Sequence, residues 1–481
     1  MQNMKRVICS IFLVIGLCIA LGACSKDESN MLQVPSGSII VPDAGLQGST
    51  TFDSRNISSI RVLSTPKGWS VDAIDMYDGI ITVTAPASFE DGEVRSGTLS
   101  LKGYTPTGNA RTLSVFLAIA ETISFTEAAN CFVATAPKHR YAFDPLKGGD
   151  DNTTLATAEV KLLWQTKSNL IKYLDMRENA EGKMEASFYL EEDVDNEGKV
   201  YPGNALIGAY NADGEIIWSW HVWVTNSDIT ADAVQLNGMT MMNINLGAEL
   251  NSNGSTVGTE IYSSYGMYYQ WGRKDPFVGP QAYNFPGNHD DLLYNVKGYE
   301  TKLKYVDSTA EQGTVAWSIA NPMSLIKGVK ENGYDWLYAD SGEELWSAET
   351  KSLYDPCPAG WRVPANNLFE NLTIAAADDE KMWNEAQKQY GWHLVDEVTQ
   401  SEYFFTAQGR RNYLDCRLDI FNDDETLPVP WSGYYWSATT ADADAKALYF
   451  DLNTATRVWN GIDTSRSMHR ANAMPVRCVK E

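Results

Sequence analysis

The stretch YDPCPAGWRVP, residues 354–364, decides how the larger part of this chain is read. Cys357 lies between Pro356 and Pro358, with Gly360, Trp361 and Arg362 just beyond. A cysteine in this setting is a nucleophile, a metal ligand or one half of a staple. A nucleophile needs a neighbouring base or positive charge to become a thiolate. The five histidines, His139, His221, His289, His393 and His469, form no motif with it. Zinc needs ligands paired at short spacing, and neither CxxC nor HxxxH occurs. Neither reactive reading is favoured.

The start of the chain sets the compartment. In MQNMKRVICSIFLVIGLCIALGAC (1–24), Lys5 and Arg6 precede an apolar run from Val7 to Ala20 that ends in small residues. That run is short for a membrane span and has the form of a secretory signal. Leu21, Gly22, Ala23 and Cys24 look like a bacterial lipobox. The resemblance implies cleavage after residue 23 and acylation of Cys24. Each buried acyl CH2 contributes roughly 0.8 kcal/mol, so several chains on one residue anchor firmly. The acidic tether SKDESN (25–30) resembles the export signal of Bacteroidota surface lipoproteins. The expected location is the outer membrane, facing the cell exterior.

Composition narrows the partners. With 38 basic and 62 acidic residues the net charge is −24, and loss of residues 1–23 deepens it. Such a chain repels nucleic acid, which is excluded as a partner. Of the 15 tryptophans only Trp69 precedes residue 150, so a light N-terminal module is followed by an aromatic-rich one. Tryptophan buries a large area but needs an acceptor for its N–H, so a core rich in it is threaded by loops and polar groups. Two or three domains are expected from the length.

From residue 32 to 122 the chain reads as short strands between turns. Leu113, Val115, Leu117 and Ile119 alternate along one face, and GIITVTAP (79–86) and SGTLSLKG (96–103) are further strands. This is the pattern of an all-β, immunoglobulin-like sandwich. The stretch PKGWSVDAIDMYDGIITVTAP, with Pro66, Gly68 and Trp69, resembles the BACON-type modules of Bacteroidota surface proteins. The resemblance implies a spacer.

The remainder, 123–481, carries a series of phrases: ANCFV (129–133), GNALIGAYNADGEIIWSWHVWVT (203–225), MMNINLGA (241–248), YYQWGRKDPF (268–277), YDPCPAGWRVP, YYWSATT (434–440) and MPVRCVKE (474–481). In this order they resemble the Fibrobacter succinogenes major paralogous domain, related to the C-type lectin-like fold. Its core motifs here span 203–277 and 354–481. The resemblance implies an α+β C-type lectin-like domain and a disulfide from Cys357 to Cys478. Asn243 and Ile244 stand where relatives carry an acidic residue and an arginine. Bottom-up, IIWSWHVWV alternates Ile217, Ser219 and His221 against Trp218, Trp220 and Val222, a strand bulky on both sides. The turn Asn211 to Gly214 joins it to NALIGAY as a hairpin. Asn367 and Glu370 have capping-box spacing for a short helix. Met382, Trp383, Ala386 and Tyr390 predict another helix, stopped by Gly391.

Four cysteines, Cys131, Cys357, Cys416 and Cys478, follow the signal region; four allow three pairings. Cys131 and Cys416 are either a second pair or free thiols. Calcium has two candidate sites. Asp193, Asp195, Glu197 and Gly198 match the first EF-hand positions, but Asn204 replaces the closing glutamate, and a turn is the favoured reading. Asn422, Asp423, Asp424 and Glu425 precede Pro428 and Pro430 in the region where C-type lectins carry a calcium and sugar loop, though a solvated loop fits them better. Trp436, Trp459 and Asn460 are candidate ligand-binding residues near the closing strands. No phosphate loop or serine-nucleophile motif appears. The expected function is non-enzymatic binding at the cell surface, of glycan, mucin or pilus subunits. Its rivals are a formylglycine-generating-like or glycan-hydrolysing enzyme and a fimbrial-tip subunit.

Overall fold

The period-two alternation ending at Ile119 becomes the strand Ala110–Ile119, the longest of the first unit. The computed structural model describes residues 31–179, 181–251, 254–279, 293–339, 345–374, 380–419, 432–451 and 461–481. The signal segment 1–23 and all but the last residue of the expected tether, 24–31, lie outside the described residues. The chain divides into two compact units, Met1–Glu121 and Thr122–Glu481. Strands hold 43% of the structure and helix 6%, so the protein is multidomain and mostly β. No helix among the described residues is long and apolar enough to cross a membrane.

The first unit is a two-sheet sandwich. One sheet runs in the order Ser38–Val41, Ala110–Ile119, Ser96–Tyr104, Ser59–Ser64; the other runs Gln47–Thr51, Ile80–Thr84, Ser70–Asp75. Ile39, Val41, Leu99, Leu101, Val115 and Leu117 meet Ile81 and Val83 in one core. Alternation puts every second side chain inside, and each buried Val, Leu or Ile contributes about 1.5–3 kcal/mol. Trp69 closes this core while its Nε1 donates to the Val94 carbonyl at 3.0 Å.

In the second unit the hairpin expected from GNALIGAYNADGEIIWSWHVWV forms as Gly203–Tyr210 paired antiparallel with Ile216–Val224. It lies inside a six-stranded sheet ordered Glu300–Thr301, Leu293–Tyr294, Glu159–Gln165, Gly203–Tyr210, Ile216–Val224, Cys131–Ala134. Both faces of this sheet are covered. Trp218, Trp220 and Val222 face a core shared with Tyr141, Phe143 and Phe188. Leu206 and Trp223 face a second core that holds Trp271, Trp336, Trp346, Trp361 and Trp436. A central strand bulky on both sides is what burial on both faces requires.

Helix is sparser than the α+β expectation: among the described residues it comprises Gly258–Ser263, Val315–Ala320 and Glu380–Gln389, with two single turns of 3-10 helix. The predicted capping box does not form. Asn366–Phe369 is one 3-10 turn led by Ala365 without a side-chain cap. Glu370 instead accepts a hydrogen bond from Asn237 Nδ2 at 3.1 Å, a tertiary contact that displaces the local one. The helix Glu380–Gln389 is where the periodicity placed it, but the left-handed residue after it is Tyr390, with φ of 50°. Gly391 begins a strand, and a Cβ there would lie 2.3 Å from the Phe404 ring.

The opening stretch is the joint of this unit. Cys357 is bonded to Cys478, with Cα atoms 6.2 Å apart and the two residues 121 positions apart in sequence. Trp361 and Arg362 pair antiparallel with Lys480 and Val479, and Val479 pairs on its other side with Met241. The turn that reverses the chain donates Trp361 N to Pro358 O at 3.1 Å, with Gly360 at φ 73°, a conformation only glycine adopts freely. Cys131 and Cys416 are free thiols, both buried. Burial pushes both thiols up, that of Cys416 to about 12, so neither is poised to react.

On the chain-entropy account a bridge closing a loop of this length stabilises by about 4–5 kcal/mol. Replacing Cys357 and Cys478 by serine should lower the denaturation midpoint of the second unit accordingly. Labelling of the native, unreduced protein should modify neither cysteine; a native-state adduct on either would remove the clasp.

Candidate functional site

Structure and expectation part company at the proposed ligand residues. Cys24, Asn422, Asp423, Asp424, Glu425, Trp459 and Asn460 lie outside the described residues. Trp436 does not line a surface. It is fully buried in the tryptophan-rich core, and its Nε1 donates to the Tyr269 carbonyl at 2.8 Å. Its ring offers no open face to a ligand, which corrects its assignment as a ligand-binding residue. The EF-like segment is an exposed turn: Asp193 Oδ1 accepts from Asp195 N at 3.0 Å, and Asp193 Oδ2 accepts from Asn196 Nδ2 at 2.8 Å. Among the described residues no group of three or more His, Cys, Asp or Glu side chains is placed to hold a metal ion.

One constellation has the composition of a catalytic site. Ser219 donates to Asp275 Oδ1 at 2.5 Å and accepts from Lys274 Nζ, which also donates to Asp275 Oδ1 at 2.8 Å. Arg273 lies beside them, its Nη2 3.8 Å from Asp275 Oδ2. Burial lowers the pKa of Lys274, opposed by the charge of Asp275. All four side chains are enclosed: Ser219 is 1% exposed, Asp275 and Arg273 2%, Lys274 3%. A hydroxyl sealed this completely meets no substrate; the group fastens the YYQWGRKDPF loop to the central strand.

Next to it lies His221, also buried. Its Nε2 donates to Asn204 Oδ1 at 2.8 Å, its Nδ1 accepts from the Tyr269 hydroxyl at 3.3 Å, and Asn204 Nδ2 donates onward to the Gly247 carbonyl at 2.8 Å. Every ring nitrogen is used with the imidazole neutral, and desolvation holds its pKa down at about 3.

The open site is elsewhere, on the closing sheet formed by Ser432–Ala441, Asp444–Asp451 and Ile462–His469. There a cleft of about 630 Å³ is lined by Tyr449, Asp451, Asp463, Thr464 and Arg466, with Leu372 as its apolar wall. The strand register makes it: Tyr434 is directly opposite Tyr449, and Tyr449 is opposite Asp463. The tyrosine rings are 5.1 Å apart. Arg466 lies on the Tyr449 ring, its Cζ 4.0 Å from the centroid. The Tyr449 hydroxyl donates to Asp451 Oδ2 at 3.0 Å. Burial, and then the adjacent Asp451 charge, pushes that hydroxyl pKa up, so it stays a donor. Asp463 Oδ1 accepts from Ser465 N at 3.0 Å. The cleft therefore offers a carboxylate acceptor at the exposed Asp463, a guanidinium donor and an aromatic flank, groups suited to a polyhydroxylated ligand.

No motif marks these residues in the sequence. Tyr434 and Trp436 share a face two residues apart, as do Tyr449 and Asp451, and the period-two pattern of ALYFDLNT marked the second pair as a polar edge on an apolar strand.

No protein-family model matches the chain, and no curated protein matches it. Solved structures similar to it include SGBP-B of the Bacteroides ovatus mixed-linkage glucan utilization locus, in complex with a mixed-linkage heptasaccharide. That match has 12% identity and a TM-score of 0.14, covering 42% of this chain and 45% of that one. The D00-D0 domain of intimin matches at 10% identity and a TM-score of 0.17, over 40% of this chain and 96% of that one. A protein of unknown function from Porphyromonas gingivalis W83 matches at 8% identity and a TM-score of 0.17, over 40% and 98%. The chain spans under half the length of the Bacteroides ovatus protein. Likenesses this distant place no residue of this chain in a known site.

The neutral His221 sets a pH dependence. Its folded pKa of about 3 lies below the ordinary 6.5, so the unfolded chain binds a proton in that window and the native state does not. Stability contributed this way is complete above the upper value and is lost as pH falls toward the lower one, at up to about 1.4 kcal/mol per pH unit. His221→Gln should flatten that part of the urea-midpoint profile relative to the parent; parallel profiles would show that His221 does not carry it.

Proposed function

We propose that this chain is a lipid-anchored protein of the outer membrane, exposed at the cell surface, that captures glycan without catalysis. The observation that carries the reading is the cleft: an accessible tyrosine, the Asp463 carboxylate and a guanidinium in one open groove, while the serine–lysine–aspartate group is sealed in the core. The first unit, a plain β-sandwich, serves as an Ig-like, BACON-type spacer. The second follows the plan of the Fibrobacter succinogenes major paralogous domain, a C-type lectin-like fold. What supports this is the terminal clasp between Cys357 and Cys478 and the phrases that surround it. Mucin and pilus subunits are partners to be compared with free glycan, and calcium is to be tested as an aid to binding.

Two experiments bear on this. A glycan array probed with the purified full-length chain, with and without calcium, should give saccharide binding that Tyr449→Ala weakens by tenfold or more, about 1.4 kcal/mol. Flat arrays would end the glycan reading, and turnover of a bound saccharide that stops in Asp463→Asn would move the cleft to the hydrolases. Separately, Cys24→Ala should shift the protein from the membrane to the soluble fraction and abolish labelling by a fatty-acid analogue. Unchanged fractionation would remove the anchor.

A further inference from the structure

Among the described residues that line the cleft, Arg466 is the one cation. Acidic residues outnumber basic ones 62 to 38 in the chain. Several cations of the second unit find carboxylates: Arg470 pairs with Asp335 at 3.0 Å, Lys351 with Asp355 at 3.1 Å and Lys274 with Asp275 at 2.8 Å. Arg466 does not. Among the described residues its guanidinium has the Tyr449 ring beneath it and no carboxylate, although Asp451 and Asp463 line the same cleft. Asp451 is engaged by the Tyr449 hydroxyl and Asp463 by the Ser465 amide. A guanidinium resting on an aromatic face keeps its fork of N–H donors in a geometry that matches a carboxylate, and it is more weakly hydrated than an ammonium.

Building on the glycan reading, we propose that the cleft takes an acidic sugar, its carboxylate on Arg466 and its hydroxyls on Asp463 and Thr464. The strongly negative protein repels a polyanion, so a sugar with an isolated carboxylate suits it better than a densely charged polymer.

The test titrates the full-length chain with matched pairs: sialyl-lactose against lactose, and a glucuronic-acid-terminated oligosaccharide against its neutral glucose counterpart. At least one acidic member should bind ten times more tightly than its neutral twin, and raised salt should shrink the difference. Arg466→Gln should erase that preference, bringing the affinity for the acidic member down to that for its neutral twin, with unchanged thermal unfolding as the folding control. Neutral twins binding as well as acidic ones, or a preference that survives Arg466→Gln, overturns the acidic-sugar inference and leaves glycan capture standing. Absence of binding by every saccharide, acidic and neutral, overturns both.

Discussion

The carboxylate of Asp355, fully buried, is the point on which the second unit turns. Its Oδ1 accepts from Cys357 N at 2.8 Å and from Lys351 Nζ at 3.1 Å, and its Oδ2 accepts from Val363 N at 2.8 Å. Lys351 Nζ also donates to the Cys357 and Trp361 carbonyls, both at 2.7 Å. Asn130 Nδ2 holds the Asp355 carbonyl at 2.9 Å and the Leu353 carbonyl at 2.7 Å, linking the stretch to the strand Cys131–Ala134 of the large sheet. A buried ion pair gains little net stability over an apolar substitute, but breaking it leaves an unpaired charge and costs about 3–5 kcal/mol. Here it fixes an irregular loop between two prolines in one conformation. In that conformation Cys357 meets Cys478, and Trp361 and Arg362 pair with the C-terminal strand. The loop geometry, the disulfide and the seating of the chain end share one anchor.

The C-terminal phrase MPVRCVKE brings a second constraint. Arg477 is buried, and among the described residues it has no carboxylate: its Nε and Nη2 donate to Asn245 Oδ1 at 3.0 and 2.9 Å, and its Nη1 to the Phe404 carbonyl at 3.0 Å. Its Cζ lies 4.2 Å from the Phe405 ring centroid. Burial lowers its pKa. Before this Asn-Leu-Gly-Ala stand Asn243 and Ile244, and Ile244 is packed in the core. Amide and carbonyl oxygens and aromatic faces take the place of counter-ions. The tryptophans work alongside: Trp223, Trp271 and Trp336 donate their Nε1 to the carbonyls of Ala248, Ser437 and Trp271 at 2.7, 2.9 and 2.7 Å. A core with so little helix holds its loops by such bonds, because a buried loop carbonyl left unmade is costly.

The closing sheet shows how a strand divides work along its length. On the strand Ser432–Ala441, Tyr434 and Trp436 point to the same side, yet Trp436 is sealed and Tyr434 is half-exposed. Their register partners on the next strand, Tyr449 and Ala447, follow the same division. One end of the face is covered by the tryptophan-rich core and the other emerges as the wall of the cleft. Alternation assigns a side chain to a face, whereas its depth depends on what packs above that face.

Depth and long-range contact lie beyond what local sequence signals encode. Period-two alternation specified the strands of the first unit, the turn at Asn211 to Gly214 specified the hairpin of the second, and the periodicity before Tyr390 specified the helix Glu380–Gln389, because these signals act between residues near in sequence. The joining of Cys357 to Cys478 was implied by resemblance and is present. Long-range packing decided the rest. It buried Trp436, replaced the Asn367–Glu370 capping box with a bond from Asn237, and left Cys131 and Cys416 as separate buried thiols. It also gathered Tyr449, Asp451, Asp463 and Arg466 from two strands into a cleft. No local pattern encodes which of two residues on one face lies under another layer, since that is fixed by chain segments a hundred or more residues away.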